Sequence, residues 1–114
     1  MFSFETQHAF SKVYRALRTG LKACEESGGI PLLGAPFIVD SDIDESGRSG
    51  EVSVSYVPFS GRQVFTVVTV KTITELRSVV EISTRYQLSE NRQKEMEALY
   101  LYWIKGGSAC KVSA

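Results

Sequence analysis

The chain has 114 residues, 43% of them hydrophobic and 23% charged, enough for one domain to bury a core without help from metals or disulfides. Thirteen basic residues balance thirteen acidic ones, so the overall charge leaves no footprint for nucleic acid or an anionic membrane. No segment approaches the roughly 20 apolar residues that cross a bilayer, and Met1–His8 has neither the basic lead nor the apolar run of a secretory signal. The expectation is a single soluble domain, 1–114.

Phe2 and Phe4 alternate with polar residues, as in a short edge strand or a lead-in folded on the next element. Phe10, Val13, Tyr14, Leu17, Leu21 and Cys24 then recur at steps of three and four, which predicts an amphipathic helix stopped by Gly28-Gly29. Gly20 weakens that helix by about 1 kcal/mol relative to alanine, so packing must compensate or the backbone must approach something closely there. Lys12, Arg15, Arg18 and Lys22 form a basic stripe on the other side. Such stripes are ordinarily solvated faces; the sharper reading is a docking surface for an acidic partner.

Ile30–Pro36 is apolar but broken by two prolines and a glycine, and reads as an ordered loop. Phe37–Asp44 predicts the first strand of a meander, with Asp40, Asp42 and Asp44 on one face by the two-residue period. With Glu51, these aspartates occupy the first, third, fifth and twelfth places of a twelve-residue window, the carboxylate spacing of an EF-hand calcium loop. Glu45 stands where that loop needs glycine, Gly47 stands where it carries an apolar residue, and neither flank reads as a helix. Calcium is the metal this window would take. The other reading is an edge strand blunted by charge.

Val52, Val54 and Tyr56 alternate with Ser53 and Ser55, predicting a strand with one dry and one wet face. Val64–Val70 is apolar on both faces, which predicts a central strand and leaves Phe65 and Val67 on the side away from the helices. Ile73–Val80 fits a strand, turn and strand, and also fits helical spacing. Val80, Ile82, Tyr86 and Leu88 then alternate with Glu81 and Arg85. Ser89 is a suitable N-cap for a last helix, and Glu90 suits its positive end. Met96, Leu99, Tyr100 and Trp103 give that helix a core stripe. Leu101, Tyr102 and Ile104 add apolar surface beyond it, which predicts burial in an interface or around a cavity.

Catalytic chemistry has little to draw on. His8 is the one histidine, and no Gly-x-Ser-x-Gly turn or phosphate-binding glycine loop is present. Cys24 and Cys110 lack metal-ligand spacing and the density of a secreted scaffold. They are expected as structural thiols in a reducing, cytoplasmic setting.

The predicted fold is α+β: a four-stranded antiparallel meander with an N-terminal and a C-terminal helix packed on one face. This element order resembles the small cytosolic chaperones of type III secretion, which are dimers holding unfolded client segments. It is also similar to a shortened helix-grip domain, whose C-terminal helix closes a sheet over an apolar ligand. The first resemblance implies a non-enzymatic interaction protein, chaperone-like or adaptor-like, that binds itself as a homodimer or binds another protein. Its surface would be Phe65 and Val67 on the sheet, or Leu101, Tyr102 and Ile104 on the last helix. The second resemblance implies a cavity lined by Tyr56, Tyr86, Tyr100 and Trp103. Neither implies nucleic acid or membrane.

Overall fold

The computed structural model describes residues 2–26, 37–44, 48–56, 63–85 and 87–110. Among the described residues five strands, not four, form one antiparallel sheet: β1 (Phe2–Thr6), β2 (Phe37–Asp44), β3 (Ser49–Tyr56), β4 (Gln63–Thr74) and β5 (Arg77–Thr84), in the order β1-β5-β4-β3-β2. The fifth strand is the N-terminal segment, which pairs with β5 from Phe2 opposite Ile82 to Thr6 opposite Ser78. Its alternation is only two phenylalanines long, too short a signal to distinguish a strand from a lead-in. β4 is the middle strand, as its apolar character on both faces predicts. Ile73–Val80 resolves into a hairpin turning at Glu75 and Leu76.

Helix α1 (Phe10–Leu21) buries Val13, Tyr14, Leu17 and Leu21 and lies against β3, β4 and β5. Beneath it the sheet presents Val52, Val54, Val68, Val70, Val80 and Ile82, each at most 4% exposed. β-Branched side chains suit both the pleat and a dry face. Gly50 sits in this layer because the Tyr14 ring occupies the space its side chain would need: a β-carbon there would come within 2.5 Å of Tyr14 Cδ1. Opposite Thr6, Ser78 Oγ donates to the His8 carbonyl at 2.8 Å. That bond pins the β1–α1 connection and places His8 at the helix entry.

Helix α2 (Glu90–Ile104) starts where Ser89 Oγ accepts from the Arg92 N–H at 3.2 Å. It packs beside α1 and against β1. Gly20 proves to be a close-approach site, since a β-carbon on it would lie 2.4 Å from Trp103 Cδ2 and Cε3. α1 runs on into a π-helical segment, Lys22–Glu26, that lies against β2. The predicted stop at Gly28-Gly29 and the Ile30–Pro36 loop fall outside the described residues.

Candidate functional site

The amphipathic spacing of α1 that buries Val13, Leu17 and Leu21 puts Lys12, Arg15 and Arg18 on the far side, with Lys22 following in the π-helical segment. All four are exposed. At 1.5 Å per residue the row is about 15 Å long. Among the described residues the ion pairs are Lys71–Glu81 at 2.9 Å, Arg77–Glu5 at 2.6 Å and Arg92–Glu95 at 2.9 Å, and none of the four cations takes part in them. Each side of the ridge carries a groove. One, of about 420 Å³, is lined by Arg18, Thr19, Lys22 and Ala23 with Val39 and Ser41 of β2. The other, of about 470 Å³, runs between Lys12, Arg15 and Thr19 on one wall and Trp103, Ile104 and Gly106–Ser108 on the other. A row of cations between two grooves suits an elongated anionic segment.

The second groove exists because the chain beyond α2 doubles back. Trp103 Nε1 donates to the Ala109 carbonyl at 2.8 Å, and the Ala109 N–H donates to Tyr102 Oη at 3.4 Å. Gly107 lies so close to Tyr102 that a β-carbon would meet its ring at 2.3 Å. The end of this return is a disulfide between Cys24 and Cys110, with Cα atoms 5.5 Å apart and a sequence separation of 86. Two reduced structural thiols were expected, and that expectation is corrected. Spacing along the chain said nothing of pairing because the fold brings the two ends together. The bond also removes the basis for a reducing compartment, since such bonds persist where the surroundings oxidise. Among the described residues no helix is long and apolar enough to cross a membrane.

The surplus apolar surface of α2 is largely accounted for by this return. Tyr100 and Trp103 stack at 5.5 Å and are each 3% exposed, and Ile104 is buried. Leu101 and Tyr102 are half-buried against the core. Tyr56 is engaged elsewhere, tilted against Phe37 at 5.4 Å and stacked with Phe65 at 5.9 Å. Tyr86 lies outside the described residues. A register shift between Val54 and Ser55 takes Phe65 out of the strand alternation and onto Phe37 and Tyr56, which share the face of Val39 and Val54. Phe65 and Val67 therefore do not form one patch. Val67 stays on the outer face between Ser53 and Ser83.

That outer face carries Asp40, Asp42 and Asp44, all exposed, with Asp42 directly opposite Glu51. Among the described residues no three His, Cys, Asp or Glu side chains are grouped to hold a metal ion; Glu45 to Gly47, inside the acidic window, are not described. Two features have no sequence signal. Ser55 Oγ is fully buried at the register shift and has no hydrogen-bond partner among the described residues. Glu25, beside Cys24, has its carboxyl pKa raised by desolvation, while nearby Arg92 pulls it back down.

Family models, curated proteins and solved structures give no match to the chain. Its class therefore rests on its own architecture, an α+β protein with one five-stranded antiparallel sheet and two helices.

Proposed function

We propose that this protein is a non-enzymatic, adaptor-like interaction module that binds an acidic segment of a partner protein along α1. One observation carries this reading: Lys12, Arg15, Arg18 and Lys22 form a continuous exposed row, outside the ion pairs of the described residues, with a groove on each side. Four aligned cations cost folding stability through mutual repulsion, and a polyanionic segment relieves it on binding. A protein partner is favoured over nucleic acid because the row is short, the chain is neutral overall, and among the described residues no exposed aromatic stands beside the row for a base to stack on. It is favoured over an apolar ligand because Tyr100 and Trp103 stack on each other and are each 3% exposed, so Trp103 offers little open surface to the groove that it lines.

The test uses a labelled glutamate-rich peptide and reads fluorescence anisotropy. Binding should weaken with salt, be lost in Arg15→Glu/Lys22→Glu, and persist in Lys94→Glu, which changes charge on α2 instead. Equal loss in both variants, or no binding at low salt, overturns the reading. Binding of duplex DNA in preference to the peptide would assign the ridge to nucleic acid.

A further inference from the structure

The disulfide stands where the two grooves of the ridge meet. Ala23 lines both of them, and the next residue is Cys24. One wall of the second groove, Gly106–Ser108, runs on to Cys110. The bond thus ties the segment that carries Lys22, the last cation of the row, to the return that walls the second groove. That return has little else to hold it. Gly106, Ser108, Ala109 and Cys110 are exposed and Gly107 is half-buried, so it adds no side chain to the core. Among the described residues its hydrogen bonds are those of the Gly106 and Gly107 N–H groups to the Trp103 and Tyr102 carbonyls, both 2.9 Å, and the two that join Ala109 to Trp103 and Tyr102. The first two close the end of α2. Apart from the disulfide, Ser108–Cys110 is therefore fixed at Ala109 alone. Ordering these residues costs more than two hydrogen bonds return, and the covalent tie supplies the difference.

We infer that the Cys24–Cys110 pair is a thiol–disulfide exchange site, reduced by a dithiol, that controls binding of the acidic segment at the ridge. The control rests on the reading of α1 proposed above; the exchange does not. Cys110 is exposed and Cys24 half-buried, so Cys110 Sγ is the sulfur within reach of a reagent. A thiolate of the dithiol attacks it to form a mixed disulfide, and Cys24 leaves as a thiolate that takes a proton from water. The reagent's second thiol, deprotonated in turn, attacks the reagent's own sulfur and releases Cys110, so that two electrons pass to the protein and the dithiol departs as a cyclic disulfide. Ser108–Cys110 then comes away from α2. The Trp103 indole N–H loses the Ala109 carbonyl, and Lys22–Glu26 loses its tie at Cys24. With the bond closed, Lys22 and the groove wall are held in place before the segment arrives; with it open, they must be ordered on binding. Affinity for the acidic segment is therefore higher in the oxidised protein.

Dithiothreitol is the probe. Without denaturant it should convert the pair to two thiols, read by mass as one maleimide adduct on each cysteine, while far-UV circular dichroism stays unchanged. Trp103, the one tryptophan, should then shift its emission to the red and become more open to acrylamide quenching. The labelled glutamate-rich peptide should bind the reduced protein about tenfold more weakly than the oxidised one, because two segments must now be ordered on binding, and reoxidation should restore the affinity. Cys24→Ser/Cys110→Ser should match the reduced wild type in quenching and affinity and should not respond to the reagent. Reduction that needs urea, loss of the circular dichroism signal on reduction, an unchanged Trp103 signal, equal and measurable peptide affinity in the two states, or a double variant that binds as the oxidised wild type each overturns the inference. The two claims separate cleanly. An oxidised protein that does not bind the peptide at low salt removes the ridge reading and the control with it, whereas thiol trapping and Trp103 quenching still decide the exchange and the release of the return.

Discussion

Replacing Gly20 by alanine sets two physical effects against each other, and their signs are opposite. Helix propensity favours the substitution by about 1 kcal/mol. Packing opposes it: the new β-carbon would sit 2.4 Å from Trp103 Cδ2 and Cε3 and 2.8 Å from Cε2, where carbon atoms at rest stand roughly 3.5–4 Å apart. Relief needs a movement of about 1 Å, and Trp103 is poorly placed to supply it. Its ring is buried, stacked on Tyr100, and tied through Nε1 to the Ala109 carbonyl. Overpacking of a filled site costs typically about 1–3 kcal/mol, so after the propensity gain Gly20→Ala should range from neutral to destabilised by roughly 2 kcal/mol. Urea unfolding followed by Trp103 emission and by circular dichroism measures this. Trp103→Phe, with a smaller ring, should reduce the added cost of Gly20→Ala in a double-mutant cycle. Stabilisation of Gly20→Ala by the full propensity gain would show that the helices do not meet at Trp103, and the close approach of α1 and α2 would be wrong.

Three further substitutions probe the rest of the structure. Cys110→Ser opens a closure spanning 86 positions, for which chain entropy sets a ceiling of roughly 4.5 kcal/mol; unfolding under non-reducing conditions measures the loss, and a stability equal to the wild type, or no Cys24–Cys110 cross-linked peptide in a non-reducing digest, would remove the bond. Ser55→Ala should be neutral or stabilising by about 1 kcal/mol, because the buried Oγ has no partner to lose; a clear loss would mean that the hydroxyl is bonded. Partial desolvation raises the Glu25 pKa in the folded state, against the opposing pull of Arg92 and although the residue keeps solvent contact, so the fold binds that proton more tightly than the unfolded chain and the ionised carboxylate works against folding. Stability from this group should therefore rise as pH falls through its folded pKa, and level off below the ordinary carboxylate range. Glu25→Gln should accordingly be more stable than wild type at neutral pH, with the difference shrinking on acidification; a difference independent of pH would refute the assignment.

How much of this was legible depended on how local each cause is. Helix α1, the Ser89 cap and the central position of β4 follow from periodicity and short-range chemistry, and the structure has all three. Gly20 signalled either compensating packing or a close backbone approach and could not name its partner, because Trp103 comes from the other end of the chain. The features that sequence did not reveal are long-range. β1 is fixed by pairing with β5, the disulfide by the return of the chain from α2 to α1, and the placement of Phe65 by one irregular pairing at Ser55. Strict alternation puts Phe65 beside Val67. A single register shift moves it to the opposite face, onto Phe37 and Tyr56, as the two-residue period requires of any slip. Substituting Phe65 with Glu is therefore expected to disturb that aromatic cluster, and with it the fold, rather than an exposed interface.

The charge pattern has the same character. Summed over the chain, the charge is zero and excludes a global field. Helical spacing separately places four cations on one side of α1, and strand spacing places three aspartates on one side of β2. Neither pattern states how the two sides are related. The fold supplies that relation: Val39 and Ser41 point toward α1, which turns the aspartates to the opposite surface, and the antiparallel register sets Glu51 against Asp42. A neutral chain thus becomes a molecule with a basic side and an acidic side, and its attraction to other charged surfaces depends on orientation and salt rather than on net charge. On this basis Arg15→Glu/Arg18→Glu, which leaves Lys12 and Lys22 against two carboxylates and so takes the ridge to a net charge of zero, should lose the glutamate peptide at low salt although the charge of the rest of the surface is unchanged.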